Sequence, residues 1–344
     1  MVFSASPTMA MKLGDSYYYL KRHVLAMVIG SFALYAGFKT DHNILKNWSP
    51  YIMAASISLL FVVLLPGVGL GLSGASRWIY FGLFSFQPAE LAKLALIIYL
   101  AKEFSSKHLE RAAWTSLGVT LAAILLIVKE PDMGTSLVMA MIAFFVFYLA
   151  GTPAKHFIVA FLASLSGFLI LSLTSPYRVK RLFAYINPWS DPRGTGFHII
   201  QSLIAVGSGG LFGLGLGASK QKFFYLPQNY TDFIFAIFCE EMGLIGAAGV
   251  ILLFFLFVAR GIRIVRSSPD AFSMLLSGGI TSWITLQAAL NICVVLGLLP
   301  TTGIPLPFIS YGGTSLVVTL FSVGILLNIS QYRVRNPESE GANI

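Results

Sequence analysis

The sequence predicts an all-α fold, a polytopic helical bundle embedded in a bilayer, with residues 1–344 forming one membrane domain. A large external loop is expected at about 174–232. Three observations carry this prediction. Only 11% of the residues are charged, whereas a soluble domain carries about 25%, so there is too little charge to coat a globular surface in water. Hydrophobic residues make up 56% of the chain, and mean hydropathy is +0.79. Third, nine apolar runs bounded by charge, Pro or Gly recur near 24–38, 51–70, 89–102, 114–129, 135–150, 157–175, 233–258, 273–297 and 313–330. Several fall short of the ~20 residues that a spanning helix usually needs, so they borrow interface residues or tilt little.

Composition suits helices packed in lipid. The 32 Gly allow close backbone approach, while 28 Phe and 10 Met face acyl chains or fill gaps. A soluble enzyme or DNA-binding protein is excluded, although the net charge of +9 would otherwise point to nucleic acid. No nucleic-acid partner is expected. Cys239 and Cys293 lie in apolar stretches without ligand spacing, so neither a disulfide framework nor a zinc site is indicated. The run GLGLGA at 213–218 matches a dinucleotide fingerprint but lacks any parallel-sheet context. With no Walker A, H-E-x-x-H or G-x-S-x-G pattern, no nucleotide or organic cofactor is expected.

Lys and Arg sort the loops into two sides. Short loops and ends on one side hold Lys39, Lys46, Lys102, Lys107, Arg111, Lys155, Arg260, Arg263, Arg266, Arg333 and Arg335. The other side, apart from the long loop, holds only Lys12, Lys21, Arg22, Arg77 and Lys129. The C-terminus is therefore expected in the cytoplasm and the 174–232 loop outside it. Nine spans leave the N-terminus outside, which leads us to expect a further helix upstream, placing both ends inside.

Four polar segments interrupt the apolar runs, at 73–93, 129–136, 187–233 and 299–315, all at or near the outer face. Within 174–232, six bases (Arg178, Lys180, Arg181, Arg193, Lys220, Lys222) outnumber two acids (Asp191, Asp232). Such a loop either anchors to anionic membrane lipids or attracts an anionic ligand such as a lipid diphosphate. Residues 199–212 have the pattern of an amphipathic helix lying along the interface.

Asp232 opens the apolar run that begins at 233. Its carboxylate is either an N-cap, satisfying a backbone N–H at the positive end of the helix dipole, or a general base that takes a proton from a substrate hydroxyl. Glu90 and Lys93 stand at i and i+3 after Pro88, on one helix face, and ionisable residues at such depth either pair structurally or serve function. Arg77 adds a planar donor suited to phosphate. Asp132 is placed to cap the following helix. Glu240 and Glu241, two turns beyond Asp232, either hold a cation or line a wet cleft.

The segments FQPAELAK (86–93), EPDMGTS (130–136), NPWSDPRGTGFHIIQS (187–202), GGLFGLGLGASKQKFFYLPQNYTDFIFAIFCEEMG (209–243) and LPFISYGGTS (306–315) occur in an order and spacing that resembles the SEDS family (shape, elongation, division and sporulation). QKFFYLP and NPWSDP resemble its FtsW and SpoVE branch more than its RodA branch. The resemblance covers essentially the whole chain. It implies a ten-helix peptidoglycan glycosyltransferase of the bacterial cytoplasmic membrane, which polymerises lipid II with a class B penicillin-binding transpeptidase as partner. The family's first helix precedes the segment matching Val2 to Ser6.

The family's catalytic Asp, in T-D-F-I-F, maps onto Asp232. Glu90, Lys93, Arg77 and Asp132 map onto polar positions of the substrate cavity. The implied reaction has Asp232 deprotonating an acceptor 4-hydroxyl for attack at C1, with inversion. Arg77, Lys93 and loop bases including Lys222 steady the leaving diphosphate, and a divalent cation, Mg or Mn, shares that task. The rival readings are a lipid II flippase and a non-catalytic division scaffold.

Overall fold

A computed structural model describes residues 1–6, 11, 14–69, 77–81, 84–106, 109–153, 155–156, 158–159, 162, 167, 176–222 and 230–331. The described chain is helical, apart from one two-stranded hairpin. A single turn, α1 (Val2–Ala5), precedes α2 (Tyr18–Lys39) and α3 (His42–Val63). The hairpin β1 (Ile79–Phe81) and β2 (Phe84–Phe86) pairs Ile79 with Phe86 and Tyr80 with Ser85. It leads into α4 (Pro88–Phe104), α5 (Leu109–Lys129) and α6 (Met133–Leu149). The long loop carries α7 (Pro176–Ile186) and α8 (Phe197–Ser208); α9 (Ile234–Arg266), α10 (Ala271–Val295) and α11 (Gly313–Gln331) follow.

Eight of the nine expected spans coincide with helices α2 to α6 and α9 to α11. The ninth, 157–175, lies mostly outside the described residues. Taken singly, α5, α9, α10 and α11 are long and apolar enough to cross a bilayer, whereas α2 and α3 meet that condition as a pair bent by 113°. Boundaries follow local chemistry. Pro88 opens α4 at a position where its missing N–H costs nothing. Asp41 and Asp270 cap α3 and α10 by accepting from Asn43 N and Ser273 N at 2.9 and 2.7 Å. The hairpin was not foreseen, because three-residue strands leave too little alternation to read.

Helix α4 is the centre of the bundle. It is buried on all sides, with Ala89, Ala92, Leu94, Ile97, Ile98 and Ala101 all inside, as expected of a helix walled in by others. Its neighbours are α3, α5, α6, α10 and α11. Helix α9 lies at the periphery and exposes Leu252, Leu253 and Phe255, a surface suited to acyl chains rather than water.

In lipid, helices gain little by hiding apolar surface from one another, so close backbone approach carries more of the association. Helices α2 and α11 meet in this way. A Cβ at Gly324 would stand 2.1 Å from the Leu34 carbonyl oxygen, and one at Gly37 would stand 2.4 Å from that of Phe321. Asn328 Nδ2 adds a 2.7 Å bond to the Phe38 carbonyl at the end of the same contact.

Helix α9 is broken near its start. Gly243 has φ 65° and ψ −167°, which only a residue without a Cβ adopts readily. The freed backbone groups find partners in the glycine-rich turn after α8. Leu214 N and Gly215 N donate to the carbonyls of Glu240 and Glu241, both at 3.0 Å. In return, Leu244 N and Ile245 N donate to the carbonyls of Gly210 and Leu211, at 2.9 and 3.2 Å. Part of the GLGLGA run thus mends a helix break. The α8 helix is not simply laid on the interface, since Ser202 Oγ bonds Val295 O at 2.7 Å and Ile199, Ile200 and Ala205 are buried.

Gly324→Val places side-chain atoms where the α2 backbone already stands. We expect it to cost about 2 kcal/mol, read as a lower unfolding midpoint in detergent; an unchanged midpoint would show that α2 and α11 do not meet as described.

Candidate active site

Two non-helical segments face each other beside the start of α9. The first, 230–233, leads into that helix. The second, 299–312, joins α10 to α11. Tyr311 N donates to Tyr230 O at 2.9 Å, and Ser310 Oγ donates to Thr231 O at 2.6 Å while accepting from Leu306 N at 2.8 Å. Asn291 Nδ2 donates to both Asp232 O and Ile304 O, each at 2.7 Å. The backbone of Asp232 is thereby held from two directions.

Its carboxylate is not the helix cap. Phe233 occupies the N-cap position of α9, and no side chain caps the helix there. Asp232 is half-buried, and its Oδ2 lies 3.5 Å from where a Cβ on Gly303 would be, so glycine leaves room beside it. Burial pushes its pKa up to about 6. The charge of Asp132 raises it further, while Arg77, Arg181 and the Thr231 hydroxyl act in the opposite direction. A carboxylate tuned in this way is ionised at neutral pH yet basic enough to accept a proton.

The turn between α5 and α6 supplies the opposing charges. Asp132 caps α6 as expected, accepting from Thr135 N at 3.1 Å and Thr135 Oγ1 at 3.0 Å; Gln87 Nε2 approaches its Oδ2 at 3.4 Å. Arg77 fixes this turn by donating from Nε to Glu130 O at 3.0 Å and from its terminal nitrogen to Pro131 O. A Cβ at Gly134 would stand 2.5 Å from Thr302 O, so the turn packs directly on the 299–312 segment.

Two residues of this group were not singled out from sequence. Arg181, previously only one of six loop bases, donates to Thr301 O at 3.2 Å and acts on the Asp232 charge. Glu130 is fully buried, and neither carboxylate oxygen has a hydrogen-bond partner among the described residues. Burial and the Asp132 charge push its pKa up to about 8, against the pull of Arg77. It is therefore largely a neutral acid at pH 7, which leaves Asp132 and Asp232 facing Arg77 and Arg181 in near balance.

The other sequence candidates lie elsewhere. Glu90 and Lys93 form a buried ion pair at 2.8 Å in α4, each 1% exposed as a residue. Lys93 Nζ also donates to Gln287 Oε1 at 2.7 Å and lies 5.0 Å from the centroid of Trp283. Lys222 belongs to a second buried cluster, beside Glu241 at 3.4 Å and bonded to the Gly217 carbonyl. There Glu241 also accepts from Ser4 Oγ at 2.5 Å, and Glu240 accepts from Ser219 Oγ and Lys220 N. Glu240 and Glu241 thus fasten the loop to the broken helix. Of the residues named from sequence, the structure gathers Asp232, Asp132 and Arg77; Glu90 and Lys93 stand one layer deeper, and Lys222 stands apart. Among the described residues, no group of three or more metal-type ligands converges.

Comparison with known proteins agrees with this architecture. The family model described as "Cell cycle protein" (FtsW, RodA, SpoVE) matches residues 1–335. The chain is 47% identical over 338 residues to the stage V sporulation protein E of Bacillus subtilis, covering 96% of this chain and 92% of that one. It is 43% identical over 337 residues to a probable peptidoglycan glycosyltransferase FtsW of Geobacter sulfurreducens, covering 96% and 90%. Among solved structures, it superposes with a TM-score of 0.78 at 30% identity on a chain from a study of polymerisation and crosslinking by a peptidoglycan synthase complex. The rod shape determining protein RodA of Thermus thermophilus gives 0.69 at 27% identity; each match covers 97% of both chains. The chain belongs to the FtsW/RodA/SpoVE family.

Proposed function

We propose that this protein is a peptidoglycan glycosyltransferase, a lipid II polymerase of the bacterial cytoplasmic membrane, with Asp232 as general base. The observation that carries the reading is the Asp232 carboxylate itself. It is unused as a helix cap, half-buried, and close enough to one acid and two guanidinium groups, Asp132, Arg77 and Arg181, for their charges to act on it. Relatives named as FtsW glycosyltransferases and a structural neighbour from a peptidoglycan synthase complex support it.

The chemistry is the one the family resemblance implies, carried by the residues gathered here. Asp232 accepts the proton of an acceptor sugar hydroxyl as that oxygen attacks the anomeric carbon of a lipid-linked donor. The C1–O bond to the diphosphate breaks on the opposite face, and the configuration inverts. Negative charge then grows on the leaving diphosphate, where Arg181 and Arg77 supply positive potential in a site of low polarity. Arg77 does so from a guanidinium already oriented by two backbone carbonyls. Lys93 and Lys222 are engaged elsewhere, so the sequence-based assignment of both to the diphosphate has less support.

The carboxylates of Asp132 and Asp232 are hard oxygen donors of the kind a divalent cation, Mg or Mn, takes. Asp132 and Asp232 would hold it together with substrate phosphates, as Mg commonly is by one or two carboxylates; when bound it would supply further positive charge to the leaving group. The positive-charge bias of the loops supports an extracytoplasmic side for the 174–232 loop and this site. A class B penicillin-binding transpeptidase is the proposed partner, in line with the synthase complex among the structural neighbours.

Two predictions follow. Asp232→Asn should lower lipid II polymerisation at least a hundredfold while leaving folding unchanged; full activity would remove Asp232 from the mechanism, and lipid II flipping without polymerisation would favour a transporter. Because the base must be ionised and its pKa is raised to about 6, kcat/KM should fall about tenfold per unit below that pH. A rate holding level down to the ordinary carboxylate range near 4 would exclude this base.

A further inference from the structure

We propose that Gln287 and Asn291 are positioning residues that hold Asp232 against the 299–306 segment, and that the Glu90–Lys93 ion pair serves the site through Gln287 rather than by touching substrate. This rests on Asp232 being the base.

Gln287 and Asn291 lie four residues apart on α10, hence on one face of that helix, and they are 1% and 2% exposed. Chemistry fixes the orientation of the Gln287 amide. Lys93 Nζ and Trp283 Nε1 have only protons to give, and both point at the same Gln287 atom, at 2.7 and 2.8 Å. That atom must be the oxygen. The amide nitrogen is therefore turned towards the 299–306 segment, where it donates to Pro305 O at 3.0 Å. One turn along, Asn291 spends both amide protons on Ile304 O and Asp232 O.

A continuous chain of bonds results, from Glu90 through Lys93 and Gln287 to Pro305, and from the adjoining Ile304 through Asn291 to Asp232. The links are short, from 2.7 to 3.0 Å, and buried or part-buried, so displacement at one end is felt at the other. The ion pair is the fixed end. Lys93 could reach a diphosphate only by leaving Glu90 and Gln287 together, stranding a buried carboxylate, and that loss is severe.

The test uses the full-length chain reconstituted in lipid vesicles with lipid II. The variants are Gln287→Met, the pair replacement Glu90→Gln/Lys93→Met, and all three together. Pair replacement removes both charges at similar volume, avoiding a lone buried ion. Each should lower kcat tenfold to a hundredfold, as small misplacements of a catalytic group do, with KM within about twofold. The triple variant should be no slower than the slowest of the others, because members of one chain are not additive. A tenfold rise in KM with kcat retained would overturn the proposal by showing that Lys93 binds substrate, and losses that multiply would overturn the coupling.

Asn291→Ala provides a second measure, corrected for the folded fraction by thermal unfolding. Loosening the segment displaces Asp232 without touching substrate, so kcat should fall tenfold to a hundredfold with KM within about twofold. An unchanged kcat would count against positioning. Asp232→Asn is measured alongside: if it alone remains active, the base assignment fails; if it is inactive while the clamp variants behave as wild type, only the clamp fails.

Discussion

A bilayer offers no water to satisfy a backbone group, so each break in a helix must be closed by hydrogen bonds from the protein itself. The structure of this chain is organised by that requirement. Its two principal interruptions, before α9 and between α10 and α11, are closed against each other by Asn291, Ser310 and Tyr311. A third, at Gly243, is closed by the turn after α8. Asp232 lies at the junction of the first two. The same bonds that make irregular backbone tolerable at this depth therefore fix the position of the reactive carboxylate, and a site on such a junction needs no separate scaffold.

Charge is distributed in layers around the junction. Closest to Asp232 are Asp132, Arg77 and Arg181, which set its basicity. Deeper in the bundle, Glu90 and Lys93 neutralise one another with Gln287 as the third partner. Separate from both, Lys222, Glu240 and Glu241 lock the loop onto the mended helix. Buried pairs of this kind contribute little net stability, since desolvation offsets their attraction. Their value here is geometric: each holds a non-helical segment at a defined place relative to rigid helices. Glu130, buried with no carboxylate partner among the described residues, fits the layering only as a neutral acid.

How much of this was legible in the sequence depends on the length scale of the signal. Long apolar runs marked eight helices, with ends off by up to nine residues as at the start of α3, because exclusion of charge is a property of many residues at once while a boundary rests on a few. Asp132 was legible as a helix cap because it stands at a sharp boundary between polar and apolar sequence, whereas the same position suggested a cap at Asp232 that Phe233 takes instead. The β1–β2 hairpin was not, being too short to show alternation. Arg181 was one base among six until α7 brought it to Thr301. Gln287 and Asn291 escaped notice altogether, since a neutral amide inside an apolar run carries no charge to flag it; their i, i+4 spacing within α10 is the signal that a closer reading would have used. The Glu90–Lys93 pair was legible from its i, i+3 spacing, whereas Lys222 was read as a loop base because its partner Glu241 lies 19 residues away in sequence.

The same layering bears on whether such a cavity carries lipid or transforms it. A carrier must open its site alternately to the two sides of the membrane, and the elements around the site must part and rejoin. Here the segments flanking Asp232 are tied to α10 by three side-chain bonds of 2.7–3.0 Å, from Gln287 and Asn291, and to each other by Ser310 at 2.6 Å, and the bundle beneath them is filled by a fully buried ion pair and Trp283. Opening inward through this layer would break those bonds and separate Glu90 from Lys93 in a medium that solvates neither. Catalysis makes the opposite demand, a base and its opposing charges held within a fraction of an ångström while the substrate arrives from one side. The energetics of the Glu90–Lys93–Gln287 layer therefore favour a one-sided, rigid site, the arrangement a polymerase needs.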